Sequence, residues 1–380
     1  MQYQYKYRSL LDALHKVYGS SSPDLSDPLA DYPGARALLE EHYSEEDTVK
    51  PTPEEALDYL LDAAIDRFGY SARDVFGAVF DYSAMTRRHE DAFDIECADL
   101  EASVSALSNN RTADYSISHW ILALSPVYKS LLQRVRWNVD FKSDWIARSV
   151  TRVLCEVEDT LIRDQIRIFR RMPEAQRLAG RFLEPLAHRY IANATGGFWP
   201  LINMDSNGAD PPHFNLVRDF PVLDGVRFIK VKRKIVKLQS ITDLSTRLEN
   251  NAYYIPVDPN FPLFNAFTIE LDRAKKSAIL RVLQVITSRT HGGSTEGYRK
   301  IREIVAILKD ELREDPPLKK TKTAAGQVIP EPFVQVRYLL VNPKDDSQPQ
   351  NLQWQFPKGW CQNLKNDHRG KVYCLEVPLV

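Results

Sequence analysis

Near Pro173 the hydrophobic period of the chain changes, and that change limits the folds open to it. Upstream, apolar residues recur at the spacing of one helical face. Thr52-Pro53-Glu54-Glu55 opens one such segment: the threonine caps, proline suits the first helical position, and Glu55 completes a capping box. Leu57, Tyr59, Leu60, Leu61, Ala64 and Ile65 then form a stripe. Ser71 starts a second helix through Val75, Phe76, Val79 and Phe80, and the same period runs through 88–109, 116–135 and 143–171. Residues 1–50 read as an N-terminal extension of short helices and loops, and 51–172 as an all-helical domain.

Downstream comes one more helix, PEAQRLAGRFLEPLAHRYIANA, then Gly196-Gly197 and segments of period two. VRFIKVKR and KIVKLQS alternate apolar with basic residues, which predicts a half-exposed hairpin. YYIPV, FNAFTIEL and ILRVLQVIT read as strands, the last two joined into a hairpin by the polar turn DRAKKSA. Tyr298, Ile301, Ile304, Val305, Leu308 and Leu312 mark a helix over 295–312 that Pro316-Pro317 ends. FVQVRYLLVN and VYCLEVPLV follow as strands, after the basic loop LKKTKTAAGQ. Residues 173–380 are therefore expected to form an α+β domain with helices framing a mixed sheet.

Fifty basic against fifty-one acidic residues leave a formal charge of -1, so any nucleic-acid contact must come from local patches. Cys97, Cys155, Cys361 and Cys374 form no CxxC pair, which argues against structural zinc and a disulfide framework. The opening MQYQYKYRSLLDALHKVYG is too often charged for a signal h-region, and no apolar run is long enough to span a membrane. The expectation is an intracellular protein, cytoplasmic or nuclear; Lys319, Lys320 and Lys322 read first as a disordered loop and second as a low-specificity nuclear-localisation cluster.

The order of elements in the second half matches what a restriction-endonuclease-like domain requires. Such a domain has a helix donating a glutamate, a first hairpin strand donating an aspartate, and a second strand donating a glutamate or glutamine with a lysine two residues on. The carboxylates hold Mg²⁺, which activates water and offsets charge on the phosphate. Here the helix carries Glu184, the first strand Asn265 and the second Gln284. Period two puts Asn265, Phe267 and Ile269 on one face, and Val282, Gln284, Ile286 and Ser288 on one face of the next strand. A hairpin would bring Asn265 and Gln284 together. His291 begins a glycine-containing turn after that strand, and Glu270 and Asp272 are nearby acids, although Asp272 falls in the hairpin turn.

RLAGRFLEPLAHRYI, PNFPLFNAFTIE and VLQVITSRTHGGSTEGYRKI resemble the C-terminal nuclease-like region of Crinkler and retrotransposon-hot-spot-type proteins. In that family a helix with an "AGxxFE"-like signature precedes an aspartate strand and a "QxT…H" strand. GYSARDVFGAVFD and YSISHWILALSP are similar to the helices that trail the family's P-loop ATPase, so the resemblance covers about residues 60–380. It implies a PD-(D/E)xK-type fold and Mg²⁺-dependent phosphodiester hydrolysis. Glu184, Asn265, Gln284 and His291 would stand at catalytic positions, with Glu184 and Asn265 as metal ligands. The departures are specific. Asn265 replaces the aspartate, Ile286 stands where the lysine or threonine belongs, and Thr287 is one position off. No G-x-x-x-x-G-K-[ST] occurs, and no "LFLAK"-type header is visible. The expectation is a truncated or domesticated relative that keeps the lid-like helices and the nuclease-like module.

Two functional readings follow. In the first, favoured because one carboxylate without a lysine holds Mg²⁺ weakly, the module is non-catalytic. It would bind nucleic acid, or a protein partner (a separate ATPase or a host protein) through the helical half. In the second it is an active Mg²⁺-dependent DNA or RNA endonuclease using Glu184 and Gln284. Lys230, Lys232, Arg233, Lys234 and Lys237 would form a phosphate-contacting face. The plainer alternative is a solvated strand face whose lysines discourage edge-to-edge pairing. Trp199, Trp354 and Trp360 would either stack on bases or sit buried. Glu184 reads more readily as a solvated surface acid, and Asn265 as a strand-entry residue bonding local backbone. Gln284 must find partners or cost stability.

Overall fold

The computed structural model describes residues 2–19, 28–43, 51–108, 118–127, 136–157, 159–206, 213–221, 228–257, 261, 263–287, 290–292, 295–313, 331–344, 352–356 and 371–379. The chain divides into two compact units, Met1–Arg181 and Phe182–Val380. The division falls inside a helix, beyond the change of period at Pro173.

Unit one holds α1 (Gln2–Tyr18), α2 (Pro33–His42), α3 (Pro53–Phe68), α4 (Ala72–Phe80), α5 (Tyr82–Phe93), α6 (Cys97–Ser108) and the short α7 (Ser118–Ile121). A hairpin of β1 (Leu122–Val127) and β2 (Arg136–Phe141) follows, then α8 (Asp144–Val157), α9 (Asp159–Arg171) and the start of α10 (Gln176–Asn193). The expected capping box is present: Thr52 Oγ1 accepts from the Glu55 N–H, and Glu55 Oε2 accepts from the Thr52 N–H. Among the described residues of the first fifty, α1 and α2 join the core of the unit rather than forming a separate extension. Leu10 and Leu14 of α1 and Ala35 and Leu39 of α2 share one core with Leu57, Leu60, Phe68 and Val79. The helical reading of 116–135 is corrected by the hairpin, in which β1 and β2 pair antiparallel. Pro126 explains this, because it removes an N–H and its ring clashes with the carbonyl four residues back in a helix. Residues 128–135 lie outside the described residues.

The α3–α4 turn is fixed by a close approach. Gly69 has φ +78, and a Cβ there would stand 2.3 Å from the Lys142 carbonyl oxygen. The Ser143 hydroxyl donates to the Arg67 carbonyl at 2.5 Å, and Lys142 Nζ donates to the fully buried Asp74 carboxylate at 2.5 Å. Burial pushes the Asp74 pKa up, but the bonded Lys142 ammonium, Ser71 and Arg73 together outweigh it and hold the carboxyl below its usual value.

Unit two contains β3 (Phe198–Trp199), β4 (Leu201–Ser206), β5 (His213–Pro221), β6 (Phe228–Ile229), β7 (Ile235–Leu238), α11 (Leu244–Arg247) and β8 (Tyr253–Pro256). It continues with β9 (Ala266–Asp272), β10 (Ser277–Val285), β11 (Thr290–Gly292), α12 (Thr295–Arg313), β12 (Phe333–Lys344), β13 (Gln353–Gln355) and β14 (Lys371–Pro378). Ten of these strands form one mixed sheet in the order β11-β13-β5-β4-β14-β12-β10-β9-β8-β7. β9 and β10 form the expected antiparallel hairpin, and β10 and β12 run parallel with α12 as their crossover. The α+β class expected from the sequence is present.

Period two sorts the central strands onto two faces. Phe267, Ile269, Leu280, Val282, Val336, Tyr338 and Leu340 pack with Tyr298, Ile301, Ile304 and Leu308 of α12 in one apolar core. Thr268, Arg281 and Arg337 point to the other face, which α10 approaches through a His188–Tyr253 hydrogen bond of 2.8 Å.

The expected hairpin between VRFIKVKR and KIVKLQS does not form. β6 pairs with β3 in a separate two-stranded sheet, while β7 lies parallel to β8 at the edge of the large sheet. Alternation marks a half-exposed strand but does not name its partner. Strands β3, β4, β5, β11 and β13 add to those the period marks.

Candidate functional site

The β9–β10 register pairs Ala266 with Leu283, and one further step sets Asn265 opposite Gln284, as the sequence suggests. The chemistry there is that of a strand end. The Asn265 N–H donates to the Leu283 carbonyl at 3.0 Å, and Asn265 Oδ1 accepts from the Val285 N–H at 2.7 Å. The side chain thus extends the ladder past the last backbone pair. Gln284 is half-buried between Val282 and Ile286, and its Nε2 reaches the Val285 carbonyl at a long 3.4 Å. Both residues alternate onto the α12 face.

Glu184 is not brought to them. It lies one helical turn before His188, with Oε1 3.5 Å from His188 Nε2, and His188 Nδ1 bonds the Tyr253 hydroxyl on the opposite face of the sheet. The expected ligand pair of Glu184 and Asn265 is therefore divided between two faces. Among the described residues no group of three or more His, Cys, Asp and Glu is placed to hold a metal ion. His291 sits in β11, in register with Trp354 of β13, at the sheet edge rather than in a free turn. Asp272 ion-pairs Lys275 in the β9–β10 turn at 3.0 Å.

The basic segment is also split. Lys232 and Lys237 are exposed, Lys234 pairs with Glu249 at 2.5 Å, and Lys230 Nζ lies 4.7 Å from the Trp199 ring centre. Arg233 is withdrawn from that surface. It is buried, and its guanidinium donates to the Ile229 and Val231 carbonyls at 2.8 and 3.2 Å. Trp199 and Trp354 are buried, with Trp354 Nε1 donating to the Tyr298 hydroxyl at 3.0 Å. Ser288, Trp360, Lys319, Lys320 and Lys322 lie outside the described residues.

The concentration of buried polar groups is on the α10 face. Strand register lays out one row across five strands: Tyr253, Thr268, Arg281, Arg337 and Lys371. The first four are buried and Lys371 is exposed at the end of the row. Arg281 is closed off from solvent and ion-pairs Glu270, with Nη2 donating to Oε2 at 3.0 Å and Nη1 2.7 Å from Oε1. Arg281 and Arg233 also share the buried Phe228 ring, with guanidinium carbons 4.9 and 4.7 Å from its centre. Arg337 donates to Gln335 Oε1 at 2.8 Å.

Three guanidinium groups thus surround one paired carboxylate. Burial pushes the Arg233 pKa down to about 10, and the neighbouring Arg281 charge adds to the fall. Burial and then Arg281 lower the Arg337 pKa as well. Burial raises the Tyr253 and Tyr373 hydroxyls, and the Glu184 charge adds to the first. A low-dielectric surface with surplus positive charge and hydroxyl donors is suited to holding an anion rather than a cation.

A search guided by Gln284 passes over this cluster. Its signal lies in the same strands: Arg281 interrupts ILRVLQV and Arg337 interrupts FVQVRYLLV, both otherwise apolar. A charge in the middle of a strand buried on both faces has to be paired.

Fold and site together define an α+β protein whose large mixed sheet is apolar on one face and arginine-rich on the other. Comparison of the chain with family models, curated proteins and solved structures found no match. Among the described residues no helix is long and apolar enough to cross a membrane.

Proposed function

We propose that the chain is a non-catalytic, nuclease-like module of Crinkler type that binds nucleic acid. The observation behind this reading is the use of Asn265 Oδ1. It is committed to the Val285 N–H, so the one side chain at the expected acid position serves the hairpin instead of a metal. The separation of Glu184 from Gln284 supports the same conclusion. Lys232 and Lys237, exposed at and beside the edge strand β7, supply charge to phosphates without reading sequence.

The test combines cleavage and binding. Single- and double-stranded DNA and RNA are incubated with Mg²⁺ or Mn²⁺, and binding is measured across a salt series. The expected result is no cleavage, with binding that weakens as salt rises. The double variant Lys232→Glu, Lys237→Glu should bind more weakly. Its salt slope on duplex DNA should fall by about 0.9 for each phosphate no longer neutralised. Metal-dependent cleavage abolished by Glu184→Ala and by Gln284→Ala would establish the active Mg²⁺ endonuclease in its place. Binding that ignores salt and the lysine variants would move the search to a protein partner.

A further inference from the structure

We propose that the arginine face of the large sheet holds the phosphate group of a ligand, bound by Arg337 and Tyr373. Two buried donors there are unmet. Arg337 is 7% exposed, and its Nε has no hydrogen-bond partner among the described residues. The Tyr373 hydroxyl, on a residue 1% exposed, is likewise buried without one. Buried donors without acceptors are costly enough that native proteins rarely keep them. The complement to this set is an acceptor with several oxygens.

Placement and charge narrow the acceptor further. Arg337 lies between Arg281 and Lys371 in the row, and Tyr373 is two residues along β14 from Lys371, on the same face. The charged groups facing the site are Arg233, Arg281, Arg337, Lys371 and Glu270, with the half-exposed Glu184 beyond Tyr253. Glu270 is paired directly with Arg281, so its one negative charge is shared among Arg281, Arg233 and Arg337 and offsets the Arg337 charge only in part. An ordered water would satisfy a donor but leave the remaining charge uncompensated, whereas a phosphate supplies both oxygens and negative charge. Ile279, Glu270 and Gln335, all half-buried, form the side from which the row meets solvent, and the exposed Lys371 marks its end.

The site is distinct from the exposed lysines, and it would stand if nucleic-acid binding through them failed. The experiment measures the melting temperature of the full chain in inorganic phosphate against chloride at equal ionic strength. Wild type should show a saturable upward shift, on the order of 5 °C when phosphate is far above its dissociation constant. Arg337→Gln should lose the shift. Tyr373→Phe, which keeps the ring in the core, should raise the half-saturating phosphate concentration severalfold. Circular dichroism confirms that each variant is folded. A second arm compares 5′-phosphorylated with 5′-hydroxyl oligonucleotides. Preference for the phosphorylated end identifies a nucleic-acid terminus as the source, and equal binding identifies free phosphate or a small phosphate ester. A wild type indifferent to phosphate, or an equal shift in folded Arg337→Gln and Tyr373→Phe, would overturn the proposal.

Discussion

The two faces of the large sheet are built by the same strands and solve burial in opposite ways. On the α12 face every second residue of β9, β10 and β12 is aliphatic or aromatic over most of its length, and α12 covers them with its own stripe. On the other face the same strands carry Thr268, Glu270, Arg281 and Arg337. The apolar face needs only shape and area, so its stability comes from packing. The polar face must match donors with acceptors and charge with charge, and its closest match is Arg281 with Glu270. Apolar packing and polar pairing fall on opposite sides of one element.

Substitutions on each face test that division. Ile304 of α12 is fully buried, and Ile304→Ala should cost about 4 kcal/mol of unfolding free energy in urea, with no effect on phosphate or nucleic-acid binding. Weaker binding by the folded variant would break the separation. Glu270→Gln removes the carboxylate that Arg281 grips, and should destabilise by about 3 kcal/mol. Added phosphate should restore part of that stability, while added chloride at the same ionic strength should not. Asn265→Ala leaves the Val285 N–H without its acceptor and should cost about 1–2 kcal/mol, read in the same urea titration. It should leave nucleic-acid affinity unchanged. A change in metal-dependent activity on this substitution would return Asn265 to a catalytic role.

What the sequence discloses follows from how far each signal reaches. Local signals are legible: the Thr52–Glu55 capping box, the α12 stripe, and the FNAFTIEL and ILRVLQVIT strands with their connecting turn. Even the meeting of Asn265 and Gln284 can be read, because a hairpin fixes its own register. Partner choice between distant segments cannot. VRFIKVKR and KIVKLQS look like a hairpin, yet β6 pairs with β3 and β7 with β8. The face on which Glu184 falls depends on where α10 meets the sheet, and period alone does not contain that information. Arg281 and Arg337 are far apart in the chain and become neighbours only through the β10–β12 crossover. Arg233 looks like one of a run of exposed basic residues, but it is drawn inward to Phe228 and the Ile229 carbonyl.

If the polar face carries more positive charge than its own residues compensate, removing one arginine should not weaken the fold. The most direct measurement is urea unfolding of Arg337→Gln in phosphate-free buffer, beside wild type and Ile304→Ala. Taking a buried guanidinium out of a crowded positive cluster relieves repulsion and desolvation cost, so the variant should be at least as stable as wild type. A fall of about 2 kcal/mol or more, of the size expected for an ordinary buried packing residue, would show that Arg337 is already compensated and would contradict the surplus of charge.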